Sequence, residues 1–201
     1  TFEHSVTRAF KKIEGAYSLV LMTKDKMIAI RDPNGFRPLC LGKLNNGGYI
    51  IASETCALDL VEAEYVRDIE PGEILVIDKN GMRTISEKSD APPSFCIFEH
   101  VYFARPDSEI FGLNVYKSRK KMGQILARET NIDADFIMPF PDSGNYAAIG
   151  FSQESGIPLE MGVIRNHYVG RTFIQPTQSM RDFSVRVKLN PVRSLLEGKR
   201  V

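Results

Sequence analysis

The sequence predicts an α+β first half built on antiparallel strands, followed by an α/β second half built on a parallel sheet. Three observations predict it. Turn chemistry recurs every few residues up to Ile85, which breaks the chain into short strands. A polar, proline-rich run from Ser86 to Ser94 has no apolar periodicity and reads as a linker. After it, strand-like and helix-like stretches alternate, as a parallel sheet requires. The expected domains are residues 1–90 and 91–201.

The elements follow in order. Phe2, Val6, Phe10 and Ile13 fall on one helical face within residues 1–14, and Gly15 stops that helix. Ala16 to Met22 and Lys26 to Ile30 read as strands around a turn at Lys24-Asp25. Asp32-Pro33-Asn34-Gly35 is a strong turn, since Pro33 fixes φ and Gly35 allows positive φ; the flanking Arg31 is expected to brace it by pairing with Asp32. Asn45 to Gly48 is a hairpin turn leading into a strand, Tyr49 to Ser53. A short helix is expected over Glu54 to Glu62. Strands are expected over Glu64 to Ile69, Glu73 to Asp78 and Met82 to Ile85, with Pro71-Gly72 and Asn80-Gly81 between them. Beyond the linker, Cys96 to Ala104 is dense in aromatic and branched residues and reads as a strand. Val115 to Glu129 is an amphipathic helix, and Phe136 to Met138 is a short strand. Lys199 to Val201 reads as the opening of a further strand.

Composition narrows the function. A net charge of +1 gives no bulk attraction to nucleic acid or to a membrane surface. No apolar run approaches the roughly 20 residues that span a bilayer. The first residues are polar and carry no signal-peptide pattern, and the chain opens on Thr1 rather than Met. The three cysteines, Cys40, Cys56 and Cys96, form no C-x-x-C pair, which points to a reducing, cytoplasmic setting.

Chemistry concentrates between residues 135 and 190. Asp142-Ser143-Gly144 precedes a small-residue helix that Gly156 and Pro158 end; Ala147, Ala148 and Gly150 would let it pack closely on a sheet. Asp or Ser at such a position caps a helix, and the same backbone N–H groups attract phosphate. Residues of this type alone fit both a plain cap and a phosphate loop. Arg165, His167 and Arg171 surround Gly170, with Tyr168 and Phe173 interleaved, which suits a loop that closes on an anion. Thr177 to Asn190, polar and basic with weak periodicity, reads as an irregular lid with Lys188 near its end.

Four strings in one order carry a resemblance: RDPNGFRPLCLG (Arg31 to Gly42), CIFEHVYFARPDS (Cys96 to Ser108), PDSGNYAAIGFSQESGIP (Pro141 to Pro158) and NHYVGRTFIQPTQ (Asn166 to Gln178). On these the chain resembles the glutamine phosphoribosylpyrophosphate (PRPP) amidotransferases. The resemblance implies the C-terminal part of an N-terminal-nucleophile glutaminase domain over 1–90, and the first part of a type I phosphoribosyltransferase domain over 91–201. It implies glutamine hydrolysis at the first and transfer of ammonia to PRPP at the second. PRPP binding falls on Asp142, Ser143, Gly144, Arg171 and Lys188, with Ser143 toward Mg²⁺ and the segment Tyr168 to Lys188 as the closing loop. Cys96 matches a 4Fe–4S ligand position of the iron–sulfur branch, and a cluster needs four thiolates. Purine nucleotides as feedback inhibitors and a homotetramer are also implied. The family's nucleophilic cysteine and its acidic PRPP motif match nothing in this stretch, so no catalytic residue is assigned and the 201-residue chain alone is expected to be inactive. Two other readings compete. One is a PRPP-binding regulator with the transferase fold and no transferase activity, and the other an aminosugar synthase. The strings Arg31 to Gly42 and Tyr168 to Pro176 respectively argue against them.

Overall fold

The computed structural model describes residues 1–86 and 89–201. They divide into two compact units, Thr1–Val115 and Tyr116–Val201. The division falls later in the chain than the compositional change at 90/91. Part of the expected linker, residues 87 and 88, lies outside the described residues. The rest is tied to the first unit: Ser89 N donates to Pro71 O (2.8 Å), Asn34 Nδ2 to Pro92 O (3.1 Å) and Ser94 N to Asn34 O (2.8 Å).

In the first unit, helix α1 (Phe2–Phe10) is capped by the Thr1 hydroxyl, which accepts from His4 N, and ends at Lys11, four residues before Gly15. Strands β1 (Ser18–Met22), β2 (Lys26–Arg31), β6 (Ile74–Asp78) and β7 (Gly81–Ser86) form an antiparallel sheet in the order β1-β2-β6-β7. A second sheet has the order β4-β3-β5, from β3 (Cys40–Lys43), β4 (Tyr49–Ala52) and β5 (Glu64–Asp68). The short helix α2 (Cys56–Leu60) sits between β4 and β5. Period-two alternation explains the two layers of core. Ile28, Ile30, Ile74 and Val76 pack against Val6 of α1, while Ala29 and Leu75, one residue out of phase, pack against Leu39, Leu41 and Ile69. The central pair β2–β6 is therefore buried on both faces.

Buried charges fix the turns of this unit. Gly35 N donates to Asp32 O (3.0 Å), and the Asp32 carboxylate accepts from Asn34 N and Phe36 N. Arg31 does not pair with Asp32 as expected. Its guanidinium donates to three carbonyls, of Arg37 (2.9 Å), Ile69 (2.6 Å) and Gly35 (3.0 Å): the turn curls the Gly35 and Arg37 oxygens around it, and Ile69 is supplied from after β5. Glu73 accepts from Arg67 through both oxygens, from Thr84 Oγ1 and from Glu70 N. Burial alone would raise its carboxyl pKa, but these hydrogen bonds hold it below the ordinary range.

Residues 96–104 form no strand. Glu99–Phe103 is a π-helical turn, in which Ala104 N donates to Glu99 O five residues back (3.0 Å). Glu99 and His100, adjacent in this turn, are both buried and each meets a polar partner. Glu99 takes the Arg37 ion pair (2.7 Å), and His100 Nε2 lies 3.1 Å from Ile110 O. The following string is clamped by Glu54, which accepts from Arg105 N (2.8 Å) and Ser108 Oγ (2.9 Å). A two-residue hairpin, β8 (Glu109–Ile110) with β9 (Leu113–Asn114), completes the unit.

In the second unit, helices α3 (Val115–Glu129) and α4 (Asn145–Ser155) cross backbone to backbone. A Cβ added at Gly123 would lie 1.9 Å from Ala147 O, and one at Gly150 would lie 1.9 Å from Lys120 O. The small residues of α4 thus serve packing on α3 rather than on a sheet. Gly156 takes φ 76° and ends α4, as expected. Among the described residues the expected parallel sheet is represented by one parallel bridge, Ile137–Leu159, flanked by Asp135 N donating to Arg200 O (2.9 Å). The named strands here, β10 (Val163–Arg165) and β11 (Leu189–Pro191), pair antiparallel. Between them, the expected irregular lid contains helix α5 (Gln178–Lys188), whose N-cap Thr177 accepts from Met180 N; helix α6 (Arg193–Leu196) follows β11. Thr177 supplies the cap that its weak apolar periodicity hid. Among the described residues, no helix is long and apolar enough to cross a membrane.

Candidate functional site

The turn that opens α4 runs from Phe140 to Gly144. Gly144 N donates to Phe140 O (3.1 Å) and Asn145 N to Asp142 O (3.2 Å), and the Pro141–Asp142 peptide is cis. The N-cap is Gly144, with no side-chain cap, so Asp142 does not cap the helix. A Cβ at Gly144 would lie 2.9 Å from Phe140 O, so the turn's own backbone already requires glycine there. Ser143 is exposed in the turn.

The Asp142 carboxylate instead pairs with the Arg165 guanidinium, at the end of β10, and His167 Nδ1 lies 4.0 Å from the same oxygen. The fold brings these groups together because β10 runs directly into the basic segment. Asn166 N donates to Lys188 O (2.7 Å), which closes the base of the 166–188 excursion and places Lys188 at its foot. Arg171 is exposed on that excursion. Among the described residues, two buried side-chain polar atoms have no hydrogen-bond partner, Arg165 Nε and Asn145 Oδ1. One offers a proton and the other accepts one, which is what a polar ligand would satisfy. Asn145 and the pairing of Arg165 with Asp142 were missed by sequence reasoning; a basic residue ending a strand beside an acidic turn was the available signal.

The fit to metal groups differs. A magnesium ion takes most of its ligands from phosphate oxygens and water, so the single exposed Ser143 hydroxyl suits it. For an iron–sulfur cluster these residues offer one candidate ligand: Cys96 is half-buried, Cys40 and Cys56 are buried, and no group of three or more His, Cys, Asp or Glu that could hold a metal occurs among the described residues. Burial, and then the nearby Asp68, push the Cys40 thiol up to about 11, so it is a poor nucleophile.

A fold rich in antiparallel sheet with an anion-suited turn is matched by known proteins. Residues 1–60 match a family model described as a glutamine amidotransferase domain. Over 98% of its length the chain is 53% identical to a chloroplastic amidophosphoribosyltransferase of Glycine max, of which it covers 34%. It is 52% identical, again over 98% of its length, to the amidophosphoribosyltransferase of Methanocaldococcus jannaschii, covering 45% of that protein. The solved structure of glutamine PRPP amidotransferase from B. subtilis complexed with ADP and GMP superposes on the whole chain with a TM-score of 0.90 at 46% identity, and the chain covers 44% of it. Across nearly its entire length the chain is a homologue of the amidophosphoribosyltransferases, and it spans less than half the length of these relatives.

Proposed function

We propose that the full-length protein converts PRPP, glutamine and water to 5-phosphoribosylamine, glutamate and pyrophosphate, the first committed step of de novo purine synthesis. The observation that carries this reading is identity of 46–53% to enzymes of that name over nearly the whole chain. Water and glutamine give glutamate and ammonia at the glutaminase half. Ammonia then attacks C1 of PRPP, and pyrophosphate leaves with the bonding electrons.

In this reading the first unit is glutaminase and the second opens a type I phosphoribosyltransferase domain with a parallel sheet. The turn at Asp142, Ser143 and Gly144 presents backbone N–H groups to pyrophosphate. Arg171 and Lys188 bind it as the 168–188 segment closes and excludes water from the reacting carbon. Ser143 would help hold a Mg²⁺ ion at this turn, where the ion would supply charge neutralisation of the pyrophosphate leaving group. The partnerless Arg165 Nε and Asn145 Oδ1 support a ligand at this turn. A 4Fe–4S role for Cys96 would need three thiolates from outside these residues, and no step depends on it. Purine nucleotides are proposed as inhibitors because the B. subtilis relative was solved with ADP and GMP. A homotetramer rests on the resemblance alone. Three free thiols suit a reducing compartment such as the cytoplasm. The relatives named above are enzymes, so the regulator alternative has no support. The test is pyrophosphate release by the full-length protein. The proposal requires dependence on both PRPP and glutamine; PRPP binding without release would return the regulator reading.

A further inference from the structure

Asp142 sits where a ligand contact was expected, yet its carboxylate is already engaged by Arg165. The two side chains are 47% and 29% exposed, so solvent screening leaves the pair little to contribute to stability. Stability is therefore a poor reason for it. Arg165 is anchored through its backbone, because it pairs with Leu189 across β10–β11. Its long side chain is held at one end of the head group by Asp142, while Nε stays buried without an acceptor. An unsatisfied buried N–H destabilises, and a phosphate oxygen that reached it would recover that loss.

We propose that Asp142 is a positioning residue: its carboxylate holds the Arg165 guanidinium beside the α4 turn, so that the guanidinium meets the phosphoryl oxygens, and Asp142 itself touches neither ligand nor metal. This rests on the PRPP reading above. The geometry opposes plain electrostatics. A free carboxylate beside a polyanion repels it, so removing the charge should tighten binding. A carboxylate that aims an arginine does the reverse.

The test is PRPP affinity, with Mg²⁺, of the full-length protein and of Asp142→Asn, Arg165→Ala, their double variant, Asp142→Glu and Arg171→Ala, each checked for folding by melting. Positioning predicts that Asp142→Asn weakens binding about tenfold and that the double variant is no weaker than Arg165→Ala. It also predicts that Asp142→Glu restores most of the loss and that the Mg²⁺ midpoint stays put. Additive losses, or a shifted Mg²⁺ midpoint, mean direct contact and overturn the proposal. Tighter or unchanged binding by Asp142→Asn overturns it too. If Arg165→Ala binds normally while Arg171→Ala does not, positioning fails and the PRPP reading stands. If no variant changes affinity, the PRPP site itself is wrong.

Discussion

Arg31 in the first unit is 2% exposed and donates to three carbonyls, whereas Arg171 in the second is exposed and makes no hydrogen bond or ion pair among the described residues. The contrast extends to their surroundings. The first unit buries Asp32 and Glu73 with their hydrogen-bond partners inside a two-layer apolar core, while α5 in the second buries no side chain at all. Charge with a fixed backbone partner holds a turn in shape; charge left without one is available to a ligand. The comparison therefore sets a unit that buries charged groups together with their partners beside one that leaves Arg171 exposed and, among the described residues, without a side-chain partner.

The largest effect that could break this contrast is at Arg31. Arg31→Ala leaves the buried Ile69 and Gly35 carbonyls without a donor, while Arg37 O keeps Ser18 Oγ, and is expected to cost about 4 kcal/mol in urea unfolding. Arg31→Lys should recover little, because one ammonium cannot reach three separated oxygens. A loss under about 1 kcal/mol would show that the buried arginine is not structural. Next is Gly123→Ala in the second unit, expected to cost about 3 kcal/mol, since the added Cβ meets backbone that has no rotamer to yield. A neutral outcome would mean that α3 and α4 are free to separate.

A smaller effect concerns acid. The Glu73 pKa is lowered in the fold, so its contribution is fully present above the ordinary carboxylate value of about 4.3 and is lost as pH falls through the lowered one. Melting temperature should therefore fall steeply below about pH 4, and Glu73→Gln should flatten that fall. An identical acid profile in the variant would remove Glu73 from the account.

Much of the first unit was legible because its turns carry unambiguous chemistry. Asp32 to Gly35, Asn45 to Gly48 and Asn80-Gly81 bracket strands whose alternation sets both core layers. The π-helical turn was not legible: Cys96 to Ala104 is dense in aromatic and branched residues, and its conformation is decided by the partners of its two polar residues, Glu99 and His100. Of Arg31's carbonyl partners, Ile69 is equally non-local, 38 positions along the chain. In the second unit the ends of α3 and the Gly156 stop were readable. Gly123 gave no local signal, since its necessity comes from Ala147 on another helix. At the site, residue types pointed to an anion at the α4 turn, but the sequence could not tell that Asp142 turns to Arg165 instead of capping the helix.

The central claim is that the uncommitted cations of the second unit serve PRPP. The most direct measurement is Arg171→Ala in the full-length protein, with phosphoribosylamine synthesis and glutamine hydrolysis assayed separately. The account predicts at least about a tenfold fall in PRPP-dependent synthesis with glutamine hydrolysis chemistry intact. Equal loss of both half-reactions, or loss of neither, would contradict it.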